Sequence, residues 1–96
     1  MDNVPSKMKV STPLGDEEFS VSKNGSNITL EIFKGSADLE IIEDCDDYLV
    51  AKGVLTVPFD CIISIKLSNN SEIGSFIYLT DPLLKEVFLT QRCVEV

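Results

Sequence analysis

Apolar and polar residues alternate with a period of two along most of this chain, and nothing else in it restricts the fold as strongly. Phe19 and Val21 alternate with Ser20 and Ser22. Ile28, Leu30 and Ile32 alternate with Thr29, Glu31 and Phe33. A period of two sends alternate side chains to opposite faces of a strand, so each run reads as a strand with one buried face. Asn24-Gly25 lies between the two runs. Asn-Gly is the strongest short hairpin signal, because a type I′ turn needs positive φ at both central residues.

The same reading extends along the chain. Gly35-Ser36 marks the next turn, and Leu39, Ile41 and Ile42 form a third apolar segment interleaved with acids. Tyr48 to Val57 is a fourth strand, ended by Pro58, and Gly53 inside it predicts a bulge, a bend or a break. Asp60 to Leu67 is a fifth, with Cys61, Ile63, Ile65 and Leu67 on one face and Ile62 on the other. Ser68 to Glu72 is a polar loop, and Ser75 to Thr80 a sixth strand. Asp81-Pro82 combines a good N-cap with a proline at the first helical position, which predicts a short helix or helical turn near 82–87. A last strand runs to about residue 95. Ile28, Leu30, Ile32, Ile63, Ile65 and Leu79 are the expected core.

The expected fold is therefore all-β: a mostly antiparallel small sandwich or barrel of six to seven strands with at most one short helix. Residues 1–15 carry Pro5, Pro13 and Gly15 and only a short alternation at Met8 and Val10. They read as a loosely held N-terminal arm, ahead of a single β domain over residues 16–96. Removing residues 1 to about 12 should then change the melting temperature little.

Charge narrows the function. The 96 residues hold 16 acids, 8 bases and no histidine, a net charge of −8. That excess repels phosphate and argues against direct binding to nucleic acid or anionic lipid. No basic start precedes an apolar run, as a signal peptide would require, and no apolar stretch approaches the ~18 residues of a membrane span. Cys45, Cys61 and Cys93 are odd in number and widely spaced, which fits reduced thiols in a cytoplasm.

Catalysis has little to work with. The commonest general base near neutral pH is missing, and no G-x-S-x-G elbow occurs. Cys61 and Cys93 fall on apolar faces and read as packing residues. Cys45 sits among carboxylates, a setting that disfavours a nucleophilic thiolate. No zinc spacing is present. An EF-hand loop begun at Asp44 would need glycine and glutamate where Leu49 and Leu55 stand. Isolated glycines make no phosphate cradle. The expectation is a non-enzymatic protein with no cofactor and no metal.

Charge clustering is the informative feature. Asp38, Glu40, Glu43, Asp44, Asp46 and Asp47 place six acids in ten residues with no base among them, and Asp16-Glu17-Glu18 forms a second cluster. Solvated loops would account for both. However, Leu39, Ile41 and Ile42 would hold the main run in a sheet, and gathering like charges costs stability through self-repulsion. Fully extended, residues 38–47 span roughly 33 Å, or about one charge per 5.5 Å, against about one per 3.4 Å along a DNA strand.

In character, these two acid clusters in a small histidine-free chain resemble the DNA-mimic inhibitors made by bacteriophages, including those that block HU-type histone-like nucleoid proteins. The resemblance implies a protein that occupies a basic DNA-binding groove and excludes DNA, acting in the host cytoplasm, with the nine acids above as its partner-binding residues. Lys34 and Lys52 flank the main cluster and interrupt a continuous mimic surface. Two other readings compete. One is an assembly module acting through a sheet edge or apolar face, for which Phe33 and Ile62 are candidate contacts. The other is a small-ligand or ion-binding barrel with the acids at its mouth. A homodimer is expected, joined through an apolar or edge-strand interface with the acids left outside.

Overall fold

The computed structural model describes every residue except Asp2 and Leu14. Its strands are β1 (Lys7–Thr12), β2 (Gly15–Asn24), β3 (Asn27–Ile32), β4 (Gly35–Asp44), β5 (Tyr48–Leu55), β6 (Cys61–Ser68), β7 (Ser75–Thr80) and β8 (Val87–Glu95). Each pairs antiparallel with the next, and β1 also pairs with β8, closing the sheet into a barrel in chain order. The all-β antiparallel fold is thus a barrel of eight strands, not six or seven, and no helix occurs among the described residues.

The extra strand comes from the segment read as a loose arm. Met8 and Val10 of β1 are buried, and Met8 lies opposite Phe19 on one side and Glu95 on the other. A three-residue alternation was too short to weigh in the sequence, but in the barrel it fills the last gap between β2 and β8.

Alternating inward residues fill the barrel. Ile28, Leu30, Leu49, Leu55, Ile63, Ile65 and Leu67 are fully shielded, joined by Ile32, Leu39, Ile77 and Leu79. The six core residues expected from the alternation are all among the buried set. An eight-stranded barrel has an interior just wide enough to be filled by side chains.

The turns differ by a residue or two from the sequence reading. The β2–β3 turn is Gly25-Ser26, with Asn24 opposite Asn27. Gly25 alone has positive φ (61°), the pattern of a type II′ turn, so the hairpin is where Asn-Gly placed it but one residue further on. The next turn is Phe33-Lys34 and not Gly35-Ser36; both central residues have positive φ, 54° and 62°. Gly53 neither bulges nor breaks β5: it pairs with Leu39 and Ile63. Its hydrogen replaces a Cβ that would lie 2.4 Å from the Asp38 carbonyl oxygen, so glycine is there to let β4 approach. The bulge falls across that pairing in β4, between Ile41 and Glu43.

Residues 82–87 form no helix. Asp81 Oδ1 accepts the amides of Leu83 (2.9 Å) and Leu84 (2.8 Å), and its carbonyl accepts the Lys85 amide, as an N-cap would. The Asp81 amide then donates to the Glu86 carbonyl, which closes the turn into the β7–β8 hairpin after a single winding.

Because the strands run up and down, the β1–β2, β3–β4, β5–β6 and β7–β8 turns gather at one end of the barrel. The β2–β3, β4–β5 and β6–β7 turns gather at the other, with the start of β1 and the finish of β8.

Candidate functional site: a one-sided carboxylate face

Inward positions are fixed by the core, so the alternation also fixes what each strand shows outside. On β2 these are Asp16, Glu18, Ser20 and Ser22; on β3, Asn27, Thr29 and Glu31; on β4, Ser36, Asp38 and Glu40. Past the bulge, Glu43 lies opposite Val50 and therefore stays outside, whereas the plain alternation would have turned it inward. The inserted residue, Ile42, is left 59 % exposed among these acids. No base occupies an outward position of β2, β3 or β4 among the described residues; Lys7 and Lys9 on β1 and Lys52 on β5 border the face.

The other half of the barrel is opposite in character. The outward residues of β5 to β7 are Tyr48, Val50, Lys52, Val54, Ile62, Ser64, Lys66, Ser68, Phe76, Tyr78 and Thr80, with Thr90, Arg92 and Val94 on β8. Among these positions there is no carboxylate. Lys66 lies 5.0 Å over the Tyr48 ring and Arg92 5.9 Å from the Phe76 ring, so two of the cations rest on aromatic faces.

The nine acids singled out in the sequence do not act as one row. Asp38 and Glu40 share the outer face of β4 and line an open groove of about 700 Å³ with Asn27, Thr29, Lys52 and Val54. Asp38 accepts the Thr29 hydroxyl at 2.9 Å, and Glu43 accepts the Tyr48 hydroxyl at 2.7 Å. The Cys45 side chain first, and Glu43 second, push the Tyr48 hydroxyl above its ordinary value, so it stays a donor. Asp44 turns to the barrel end, where the Met1 ammonium and Lys23 Nζ (3.4 Å) meet it. Hydrogen bonding from that ammonium, with Lys23 adding, holds the Asp44 carboxyl below its usual value. Asp46 and Asp47 lie in the β4–β5 turn, so the chain reverses there and the 33 Å extended span is not realised.

The second cluster divides too. Asp16 and Glu18 lie outside, each 3.8 Å from a lysine of β1, Lys9 and Lys7 respectively. Exposed pairs of this kind contribute little to stability, about 0–1 kcal/mol, but they reduce the net field at that border. Glu17 points the other way, opposite Val10, and accepts the Phe33 amide at 3.1 Å. It is half-buried and braces the Phe33-Lys34 turn, where both residues have positive φ, so it does not share the outward face of Asp16 and Glu18. Glu31, outside both sequence clusters, joins the face. The period of two along β3 places Glu31 outward, although it belongs to no run of acids.

Closure narrows one surface that the assembly reading relied on: β1 pairs with β8 only from Met8 to Val10, so β8 is covered there and, among the described residues, its Val87–Arg92 part has no strand partner on that side. Ile62 is half-buried on the outer wall between Val54 and Thr80. Phe33 lines a cavity at the β7–β8 turn end. Glu17, Glu18 and Glu31 line an open pocket of about 330 Å³ beside Phe33. A cavity of about 380 Å³ at the terminus end is lined by Met1, Val4, Ser75 and Arg92 among others, and no member of the 38–47 run borders it. All three cysteines are free thiols; Cys61 and Cys93 are buried and Cys45 is half-buried.

Fold and surface together define an up-and-down antiparallel barrel with a filled core, whose outward strand carboxylates all lie on β2, β3 and β4. Comparison with protein-family models, with curated proteins and with solved structures finds no match to the chain.

Proposed function

We propose that this chain is a non-catalytic binding protein that sets its β2–β4 wall against the basic surface of a nucleic-acid-binding protein and keeps nucleic acid off that surface. One observation carries the reading: Glu31, Asp38, Glu40 and Glu43 face outward on β3 and β4 with no base at those strands' outward positions, Lys52 opposite Glu40 marking the border, while the outward positions of β5 to β8 hold no carboxylate. A chain that needed acids only for solubility would gain by spreading them. Confined to one wall, they give the molecule a direction, and a basic partner is steered to that wall. Ile42, exposed between Glu40 and Glu43, supplies an apolar contact within the patch.

Outward residues on one strand stand about 6.7 Å apart, twice the phosphate spacing of about 3.4 Å along a DNA strand. The wall therefore attracts by sign and placement and does not copy a phosphate ladder. An HU-type nucleoid protein is the partner to try first, on the strength of the sequence resemblance. The test is a titration of that protein with wild type and with an E31Q/D38N/E40Q/E43Q variant, at low and high salt, with duplex DNA as competitor. Wild-type binding should weaken as salt rises, DNA should displace it, and the variant should bind about tenfold more weakly or worse, a loss of about 1.4 kcal/mol. An unchanged affinity in the folded variant would end this reading.

A further inference from the structure

The turn between β2 and β3 brings a reactive pair of residues to the edge of the acid wall. Asn24 closes the outward row of β2. It is exposed, lies opposite Asn27, and borders the open groove that holds Asp38 and Glu40. Gly25 follows it with a φ of 61°, and nothing stands within 4 Å of the place a Cβ would take, so the turn is open on that side. Among the described residues, neither the Asn24 side-chain amide nor the Gly25 N–H makes a hydrogen bond. The tip is held by the Asn24–Asn27 rung and by the Ile41 amide, which donates to the Ser26 carbonyl at 2.9 Å.

From this we propose that Asn24-Gly25 is a deamidation site, at which Asn24 converts spontaneously to aspartyl and isoaspartyl products and adds a carboxylate to the acid wall. Hydroxide takes the Gly25 amide proton, and the nitrogen attacks Asn24 Cγ. The bond from Cγ to the side-chain nitrogen breaks, ammonia leaves with a proton from water, and a cyclic imide remains. Water then opens the imide. Cleavage between Cγ and the Gly25 nitrogen gives the aspartyl product. Cleavage at the main-chain carbonyl gives the isoaspartyl product, in which the chain runs through Cγ. One water is gained, one ammonia is lost, and nothing is oxidised or reduced. The ring closes when the tip turns out of the hairpin, and exposed tips of this kind open at little cost.

The other asparagines are held back. The Asn69 amide donates to the Asp46 carbonyl at 3.4 Å, and the N–H that would attack Asn69, that of Asn70, donates to Ser68 Oγ at 3.0 Å. Asn70 Oδ1 accepts the Glu72 amide at 2.9 Å. Asn3 and Asn27 precede Val4 and Ile28, whose β-branched side chains crowd the attacking nitrogen. At Asn24 the aspartyl product keeps the hairpin, whereas the isoaspartyl product carries an extra backbone carbon and loses the Asn24–Asn27 rung. Both add a negative charge beside Asp38 and Glu40 to a chain of net charge −8, and the reaction does not depend on what the wall binds.

Peptide mass spectrometry tests this on the full chain, aged in heavy-oxygen water at pH 6 and pH 9, both folded and in urea. The mass gain of amide-to-acid conversion, with heavy oxygen incorporated, should appear first at Asn24, localised by fragmentation. It should come as two products, one of which co-elutes with the same peptide from an Asn24→Asp variant. Conversion should be faster at pH 9, where hydroxide exposes the nucleophile. Folding should slow it by less than about tenfold, since the tip opens without the barrel. Asn24→Gln, whose longer side chain would have to close a larger ring, should remove the gain and leave the far-UV spectrum unchanged. An earlier gain at Asn69 or Asn70 in the folded chain, or protection of Asn24 by folding well beyond that factor, would overturn the proposal. So would an Asn24→Gln chain that gains mass as fast as wild type.

Discussion

Gly53 shows how much one missing methyl can determine. A Cβ there would sit 2.4 Å from the Asp38 carbonyl and 2.6 Å from a Leu39 methyl, both in the β4 strand that carries the acid wall. Gly53→Ala should force β4 and β5 apart and cost about 1–3 kcal/mol as overpacking, read as a lower denaturation midpoint. The thiols offer a second check at this scale. Burial pushes the Cys93 thiol up to about 12 and raises Cys61, for which the nearby Asp60 charge adds to burial. With a thiol reagent at pH 8, Cys45 should react first, and Cys61 and Cys93 only at the rate at which the barrel opens. Equal labelling of all three in the folded protein would contradict the packing.

At the scale of elements, β1 reverses an expectation. Deleting residues 1–12 removes Met8 and Val10 from the core, about 1.5–3 kcal/mol each by burial alone, and leaves β2 and β8 with open edges. The truncated chain should lose its cooperative melt or aggregate, whereas an unchanged melting temperature would show that β1 is dispensable. The strands that could be read from sequence were those with long alternations. Ile28 to Ile32 and Cys61 to Leu67 declare a buried face without help from any neighbour. Two features resisted for physical reasons. Lys7–Thr12 is too short to declare itself and is a strand because β2 and β8 need something between them. Asp81-Pro82 is a genuine capping signal, but six residues between paired strands leave room for one winding only. The candidate wall was half legible: the acid runs marked Asp38 and Glu40, but the bulge at Ile42 and the inward turn of Glu17 depend on pairings across strands.

For the whole molecule, the excess of carboxylates and the Asp44 contact respond oppositely to acid. Salt at pH 7 should raise the melting temperature, because it screens repulsion among charges that sum to −8. Asp44 has a folded value below its ordinary 3.8, so its pairing with the Met1 ammonium and Lys23 stabilises above that value and is lost as pH falls through the lower one. Thermal melts of wild type and Asp44→Asn should therefore differ at pH 7, begin to approach each other below 3.8, and converge only once the pH is below the lowered folded value. A difference that persists in strong acid would place the effect in packing and not in charge.

Pairing of β1 with β8, with the Val96 amide reaching the Lys7 carbonyl at 3.2 Å, makes the strand order a ring. Seven of its eight seams are hairpins that neighbouring residues can form alone, and only the eighth joins segments some eighty positions apart. Folding can thus advance hairpin by hairpin, but the rate of completion is set by the loop entropy of that one distant seam. A short peptide linking Val96 back to the start of β1 would make that seam local, and a new break at Gly25-Ser26 would pass the long closure to β2 and β3. The order of assembly is in this sense a property of where the ring is cut, separate from the shape it reaches.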